Sequence, residues 1–402
     1  MKSSTLTVAA VAVFMVSSML VLPNAGAGDD GRSKWLFLLY LDADNSLDVY
    51  AGAHHLSVVE SDFDELMSVG STADVAAYAL VDRIDGPAHL YKFMKGSMQE
   101  MKDFSLNGKE ANMGDPATLT SFVEFTSKAS PADHKMLIFW DHGSPRGVAW
   151  DDHASEAGGS DYLSQWEVVD ALSGYKVDVI GADECNVGHL EVAYEYAVGL
   201  DTDFLVAAET YTGWRGFPYD ALLRELTKNP GMDSGGAAIM MIEQTQLLLN
   251  KPPYGGERIN SHAAFDLSEV PALVDSLKLL SSLLVADMSN SVTTIAKARG
   301  AAQYCYGANA MNVVDLQTFV NQIGYVSTSK AIKDACAAAL EDLDAVVVAI
   351  HATSSTSVML GGLGVGFADH SWELPGYYTD FAFASQGWLD LMKAYWAAHG
   401  SV

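Results

Sequence analysis

Short apolar runs alternating with helix-patterned stretches constrain this chain more than any other feature. Trp35 to Leu41 (WLFLLYL), Val75 to Val81 (VAAYALV), Met136 to Trp140 (MLIFW), Val177 to Ile180 (VDVI) and Phe204 to Ala208 (FLVAA) read as strands. Leu163 to Leu172 and Gly188 to Val198 carry apolar residues at helical spacing, and Ser164 with Glu167 three residues on has the form of a capping box. The alternation predicts an α/β fold, a mostly parallel sheet flanked by helices. Ligands of such sheets bind beyond the carboxyl ends of the strands, so the residues after each run carry the functional information.

Three strand ends deliver polar groups to one edge: DADNSLD (Asp42 to Asp48), DHGSPRG (Asp141 to Gly147) and DEC (Asp183 to Cys185). A histidine at one end and a cysteine at another are the components of a Cys/His dyad, His142 taking the thiol proton of Cys185. Gly143 lets backbone approach a substrate, and the N–H groups of Gly143 and Cys185 form a candidate oxyanion hole. Singly, such a cysteine or histidine is more often a packed core residue. It is the matching strand-end positions, with glycine after the histidine, that favour chemistry. Asp183 and Glu184 oppose ionisation of the neighbouring thiol, so these acids are expected to have another task.

The charge balance narrows the partners. With 51 acidic against 23 basic residues the formal net charge is -28, which repels phosphate backbones and anionic membranes. Lys2, the apolar segment Leu6 to Leu22 and the small residues Ala25-Gly26-Ala27 predict that residues 1-27 are a secretion signal, leaving an extracellular protein with no membrane anchor after cleavage. Three cysteines allow at most one disulfide: Cys305 with Cys336 is a candidate pair, leaving Cys185 as the free thiol. At 402 residues two domains are expected. Residues 33-229 would hold the strand ends, and residues 230-402, opening on the turn-rich KNPGMDSGG, would form a smaller, largely helical region. Within it Leu273, Val274, Leu277, Leu280, Leu283 and Leu284 share one helical face, KDACAAALEDLDAVVVAI starts as a helix, and SVMLGGLGVGF reads as a buried strand.

WDHGSPRGVAWDD, YLSQWEVVDAL and VDVIGADECNVGHLEVAYE together resemble the core of the clostripain family of caspase-like cysteine peptidases. YLDADNSLD and AAETYTGWRGFPY extend the likeness, and weaker matches reach the C-terminus. The resemblance implies a caspase-like fold and an endopeptidase acting on polypeptide substrates, with His142 and Cys185 catalytic. It also implies Asp183 in the specificity pocket, receiving the arginine or lysine after which such enzymes cut. Departures from the family pattern are Glu184 in place of alanine, Asn186 and Val187 in place of an aliphatic or methionine pair, and Arg215 where an acid is common. Arg215 is therefore a candidate substrate-binding residue of opposite sign. Glu184 and Arg215 together support an alternative, a catalytically weak relative that binds peptides or partner proteins through the same cleft. The loop from Asp151 to Asp161 has no lysine or arginine, which predicts a single mature chain.

No cofactor is implied. His54, His55, Asp151, Asp152, His153 and Glu156 supply potential metal ligands but lack a zinc spacing, which leaves a metal-dependent hydrolase the remote reading. Calcium stays open as a ligand, since acidic loops bind it and some members of the resembled family depend on it, although no EF-hand pattern is present.

Overall fold

A computed structural model describes residues 31–48, 57–155, 158–213, 215–249, 259–302, 312–354 and 360–400. The expected signal at 1-27 lies outside the described residues, as do His54, His55, Glu156 and Cys305. In chain order come β1 (Ser33–Ala43), α1 (Val58–Val69), β2 (Val75–Arg83), β3 (Gly86–Met94), β4 (Ser97–Glu100), α2 (Pro116–Ala129) and β5 (Ala132–Trp140). Next are β6 (Gly147–Asp151), β7 (Asp161–Ser164), α3 (Gln165–Leu172), β8 (Val179–Asp183), α4 (Leu190–Gly199), β9 (Phe204–Ala207) and α5 (Tyr219–Lys228). The rest comprises α6 (Ser234–Leu249), β10 (Ile259–Asp266), α7 (Val270–Ala286), α8 (Met288–Ala301), β11 (Val313–Asp315), α9 (Leu316–Val326), α10 (Lys330–Val346), β12 (Val347–Ser354), β13 (Gly364–Gly366) and α11 (Trp388–His399).

Nine strands form one sheet in the order β12-β10-β9-β8-β5-β1-β2-β3-β4. The five central strands, β9 to β2, run parallel, and antiparallel strands flank them on both sides. The unbroken apolar run in β1 follows from this position. Leu36, Leu38 and Tyr40 enter the core beneath α2, α3 and α4, whereas Trp35, Phe37, Leu39 and Leu41 enter the core beneath α1, α5 and α6. A strand covered on both faces has no polar side to alternate with. The predicted capping box is present, with Ser164 accepting from the Glu167 backbone and the Glu167 carboxylate accepting from Ser164.

The expected division at residue 229 is corrected. Residue 229 is not a boundary of the sheet, because β10 and β12 extend it and α6 packs against it. The KNPGMDSGG stretch is only the turn between α5 and α6, and its composition signals a reversal in the chain, not a linker. Cys336 is a buried thiol on α10, its pKa pushed up to about 12 by burial, and its expected partner Cys305 lies outside the described residues. The remaining C-terminal elements do form a helical layer, α7 to α11, around the small β11–β13 ladder.

The β10–β12 pairing sets His262 opposite His351, and both nitrogens of the fully buried His262 lack a partner. Burial, with some repulsion from His351, pushes the pKa of His262 down to about 3. A histidine kept neutral in the folded state contributes full stability above its unfolded pKa of about 6.5, and that contribution is lost as pH falls below it. His262→Phe should therefore flatten the fall of Tm between about pH 6.5 and about pH 4.5. Calorimetric melts across that range check this, and parallel wild-type and variant curves would contradict it.

Candidate active site

Strand register builds the site. Leu41 of β1 pairs with Trp140 of β5, and Trp140 with Asp183 of β8. One residue further along, Asp42, Asp141 and Glu184 follow in neighbouring strands, joined by Asp82 of β2 opposite Asp42. Two residues further, His142 and Cys185 leave adjacent parallel strands, whose axes lie about 4.8 Å apart. Both side chains line a cleft of about 340 Å³ with Ser46, Leu47, Val58, Trp140, Asp141, Asp183, Thr212, Gly213 and Gly216.

Alternation along β8 separates the two adjacent acids, Asp183 and Glu184. Asp183 faces the α1/α5 side and reaches the cleft, while Glu184 points through the sheet to the other face. Asp183 Oδ2 accepts from the Tyr219 hydroxyl at 2.7 Å and the Phe217 N–H at 2.8 Å. Burial pushes its pKa up to about 6 against the opposing pull of those two donors. Glu184 is fully buried, accepting from the Ala149 N–H at 3.3 Å with its second oxygen unpartnered. Desolvation, reinforced by the charge of Asp42, raises its pKa well above the carboxylate range. A protonated Glu184 adds no negative charge beside the thiol, which removes the objection to a nucleophilic cysteine there.

Asp42 and Asp141 share that buried layer, each raised chiefly by desolvation and then by the other carboxyls. Asp141 accepts from Asn45 at 2.6 Å and from the Trp150 N–H. Gly143 stands where a Cβ would meet Glu184 Cβ at 2.6 Å and the Cys185 carbonyl oxygen at 2.7 Å, so only glycine lets the two strand ends close. Asn186, with φ of 61°, turns the chain directly behind Cys185 and sends its N–H to the Thr210 carbonyl at 2.8 Å. Left-handed backbone suits asparagine far better than the aliphatic residue it replaces.

Ser46 and Thr212 touch His142 and Cys185; both lie in stretches that the sequence marks, DADNSLD and AAETYTGWRGFPY, but neither is singled out there as a site residue. Ser46 Oγ lies 3.0 Å from His142 Nε2; Thr212 places its hydroxyl 3.5 Å and its N–H 3.4 Å from Cys185 Sγ. Burial lowers the His142 pKa, partly offset by Asp152, which keeps the ring neutral and able to accept a proton near pH 7. Arg215 departs from expectation. Its guanidinium donates to Ser61 at 2.9 Å and Glu65 at 3.2 Å and lines a neighbouring cavity, not the cleft. Its long side chain crosses to α1, where Glu65 supplies the opposite charge. His153 is held by Asp44 at 2.6 Å, and among the described residues no group of three or more His, Cys, Asp or Glu side chains is arranged to hold a metal.

Residues 39–395 match the sequence model of the Clostripain family. Clostripain of Hathewaya histolytica is 27% identical over 231 residues, 50% of this chain and 44% of that protein, so the match spans less than half the length of that relative. The solved inactive zymogen C11 protease from Parabacteroides distasonis superposes with a TM-score of 0.66 at 16% identity, covering 88% of this chain and 98% of that one. A secreted C11 cysteine protease from Bacteroides thetaiotaomicron, solved with an irreversible peptide inhibitor, gives 0.66 at 18% identity, covering 89% and 100%. At these identities the structures establish a shared, caspase-like fold.

The buried acid layer has a measurable consequence. A carboxyl whose pKa is raised on folding contributes stability in full below its unfolded pKa of about 4.3, and loses it as pH rises through the folded value. Glu184→Gln keeps the shape and removes the titration, so its Tm should decline less than wild type's as pH rises above about 4.3, with up to about 1.4 kcal/mol per pH unit at stake. Thermal melts at matched ionic strength check it. Equal slopes would mean that Glu184 is ionised in the folded protein.

Proposed function

The chain belongs to the clostripain family, and from that membership we propose a secreted cysteine endopeptidase that cuts polypeptides after arginine or lysine through Cys185 and His142. The observation that carries this reading is the convergence of His142, Cys185 and the buried carboxyl of Asp183 on one cleft. The Cys185 thiol gives its proton to His142 as Sγ bonds to the scissile carbonyl carbon. His142 passes the proton to the leaving amine as the C–N bond breaks, leaving a thioester. Water then attacks the thioester carbon, giving one proton to His142. The C–S bond breaks and that proton returns to sulfur. The N–H groups of Gly143 and Cys185 serve the oxyanion, a donor being typically worth about 10²- to 10³-fold in rate. Asp183 supplies the negative charge for a guanidinium or ammonium group. With Arg215 engaged by Glu65, that charge is not cancelled from within.

A binding protein without turnover is the competing reading, and Glu184 no longer favours it, since that side chain turns away from the cleft. Cys185→Ala and His142→Ala should each abolish hydrolysis of a basic fluorogenic peptide with unchanged melting temperature, because neither side chain packs the core. Asp183→Ala should retain thiol labelling by iodoacetamide yet lose about 10²-fold or more in kcat/KM on that peptide. Turnover by the Cys185→Ala protein would remove the nucleophile assignment, and preference of the wild type for acidic or apolar residues would remove the basic specificity.

A further inference from the structure

The partners of Asp183 differ from those of an acid that merely supports a fold. Among the described residues they are a phenol and a backbone amide, both neutral donors, and both reach the same oxygen, Oδ2. Oδ1 receives neither bond, and Asp183 lines the cleft. Gly216, with φ of +58°, passes so close that a Cβ would stand 2.2 Å from Oδ2 and 2.6 Å from Oδ1. Gly216 lines the cleft with Asp183, so a glycine there keeps the space in front of the carboxyl free of a side chain.

Tyr219 is built to hold this arrangement. It is the first residue of α5 and fully buried, with its ring edge-on to Phe37 at 6.3 Å and its own N–H donated to Glu65 at 2.9 Å. Helix start, ring packing and carboxylate contact fix the phenol from three directions. We propose that Tyr219 is the positioning residue for substrate selectivity: its hydroxyl pins Asp183 Oδ2 so that Oδ1 and the carboxylate's charge face an incoming basic side chain. This rests on the reading that the cleft accepts arginine or lysine.

The electrostatic surroundings agree with that role. Desolvation is the chief influence that raises Asp183, and the nearby cation, Arg215, is engaged by Glu65 and Ser61. A carboxyl there tends to take up a proton, and a protonated Asp183 would offer a guanidinium no charge. The phenol counters this by donating to the ionised form, keeping the cleft receptive near neutral pH.

The test compares wild type and Tyr219→Phe on two fluorogenic peptides that differ only at the residue before the cleaved bond, arginine in one and its uncharged isostere citrulline in the other. For the arginine peptide the variant should show KM raised about ten-fold at pH 7 with kcat little changed. The acid limb of kcat/KM that Asp183 contributes, its pKa pushed up to about 6 by burial, should move upward in the variant, and the deficit should narrow as pH rises. Citrulline kinetics should stay within about two-fold of wild type, which reports a folded enzyme in the same assay. Unchanged arginine kinetics, or an equal loss on both peptides, overturns the role of Tyr219 alone. Equal rates on both peptides by the wild type overturn the basic specificity itself, and the role of Tyr219 with it.

Discussion

The register between β1, β5 and β8 is the constraint on which the rest of the site depends. Parallel strands hydrogen-bonded without offset must end side by side, and here they end on Asp42, Asp141 and Glu184 in one row and on His142 and Cys185 in the next. A slip of one residue would turn every side chain of a strand to the opposite face, carrying Asp183 out of the cleft and Glu184 into it. The register is held by burial on both faces. Leu38 and Phe37 sit in different cores, and either face would lose its packing if β1 moved.

Setting carboxyl groups side by side under a sheet is costly, and the protein meets that cost in two ways. In the row just before the His142 and Cys185 positions, Asp42, Asp141 and Glu184 are desolvated enough to favour their protonated forms. On the cleft face, Asp183 receives two donors whose pull opposes the effect of burial. Two adjacent acids thereby acquire different protonation behaviour from environment alone. The thiol of Cys185 lies beside this arrangement, held by the Thr212 hydroxyl and amide, and the imidazole by Ser46.

The C-terminal region braces the same strand ends from behind. Glu191 at the start of α4 accepts from the Gly366 N–H at 2.9 Å and the Tyr378 hydroxyl at 3.0 Å, and Glu209 after β9 accepts from the Gly362 N–H at 3.0 Å. Gly364 lies so close to His189 that a Cβ would meet its ring at 2.6 Å. The short β13 segment is gripped in turn by Trp388, whose indole donates to Gly366 at 2.8 Å. Loops after β8 and β9 that carry Cys185 and Thr212 are thus backed by residues more than a hundred positions away, which gives the helical layer a part in holding the cleft.

Local pattern alone determined the strand runs, the capping box at Ser164, the parallel core and the three polar strand ends, because periodicity and turn chemistry are properties of neighbouring residues. The His142, Gly143 and Cys185 constellation was legible for the same reason: each residue sits just past an apolar run that shows where its strand stops. Tertiary structure alone decided which acid faces the cleft, since that depends on which face of β8 each side chain takes. It gave Arg215 to Glu65, a partner 150 positions away, and Tyr219 to Asp183 across 36. It also drew β10 and β12 into the sheet, where their central residues, SHAAF and VVAIH, lack a strand-end motif that would place them beside β9. Partners distant in the chain are chosen by packing and charge once the sheet has formed, and no short stretch of sequence contains that information.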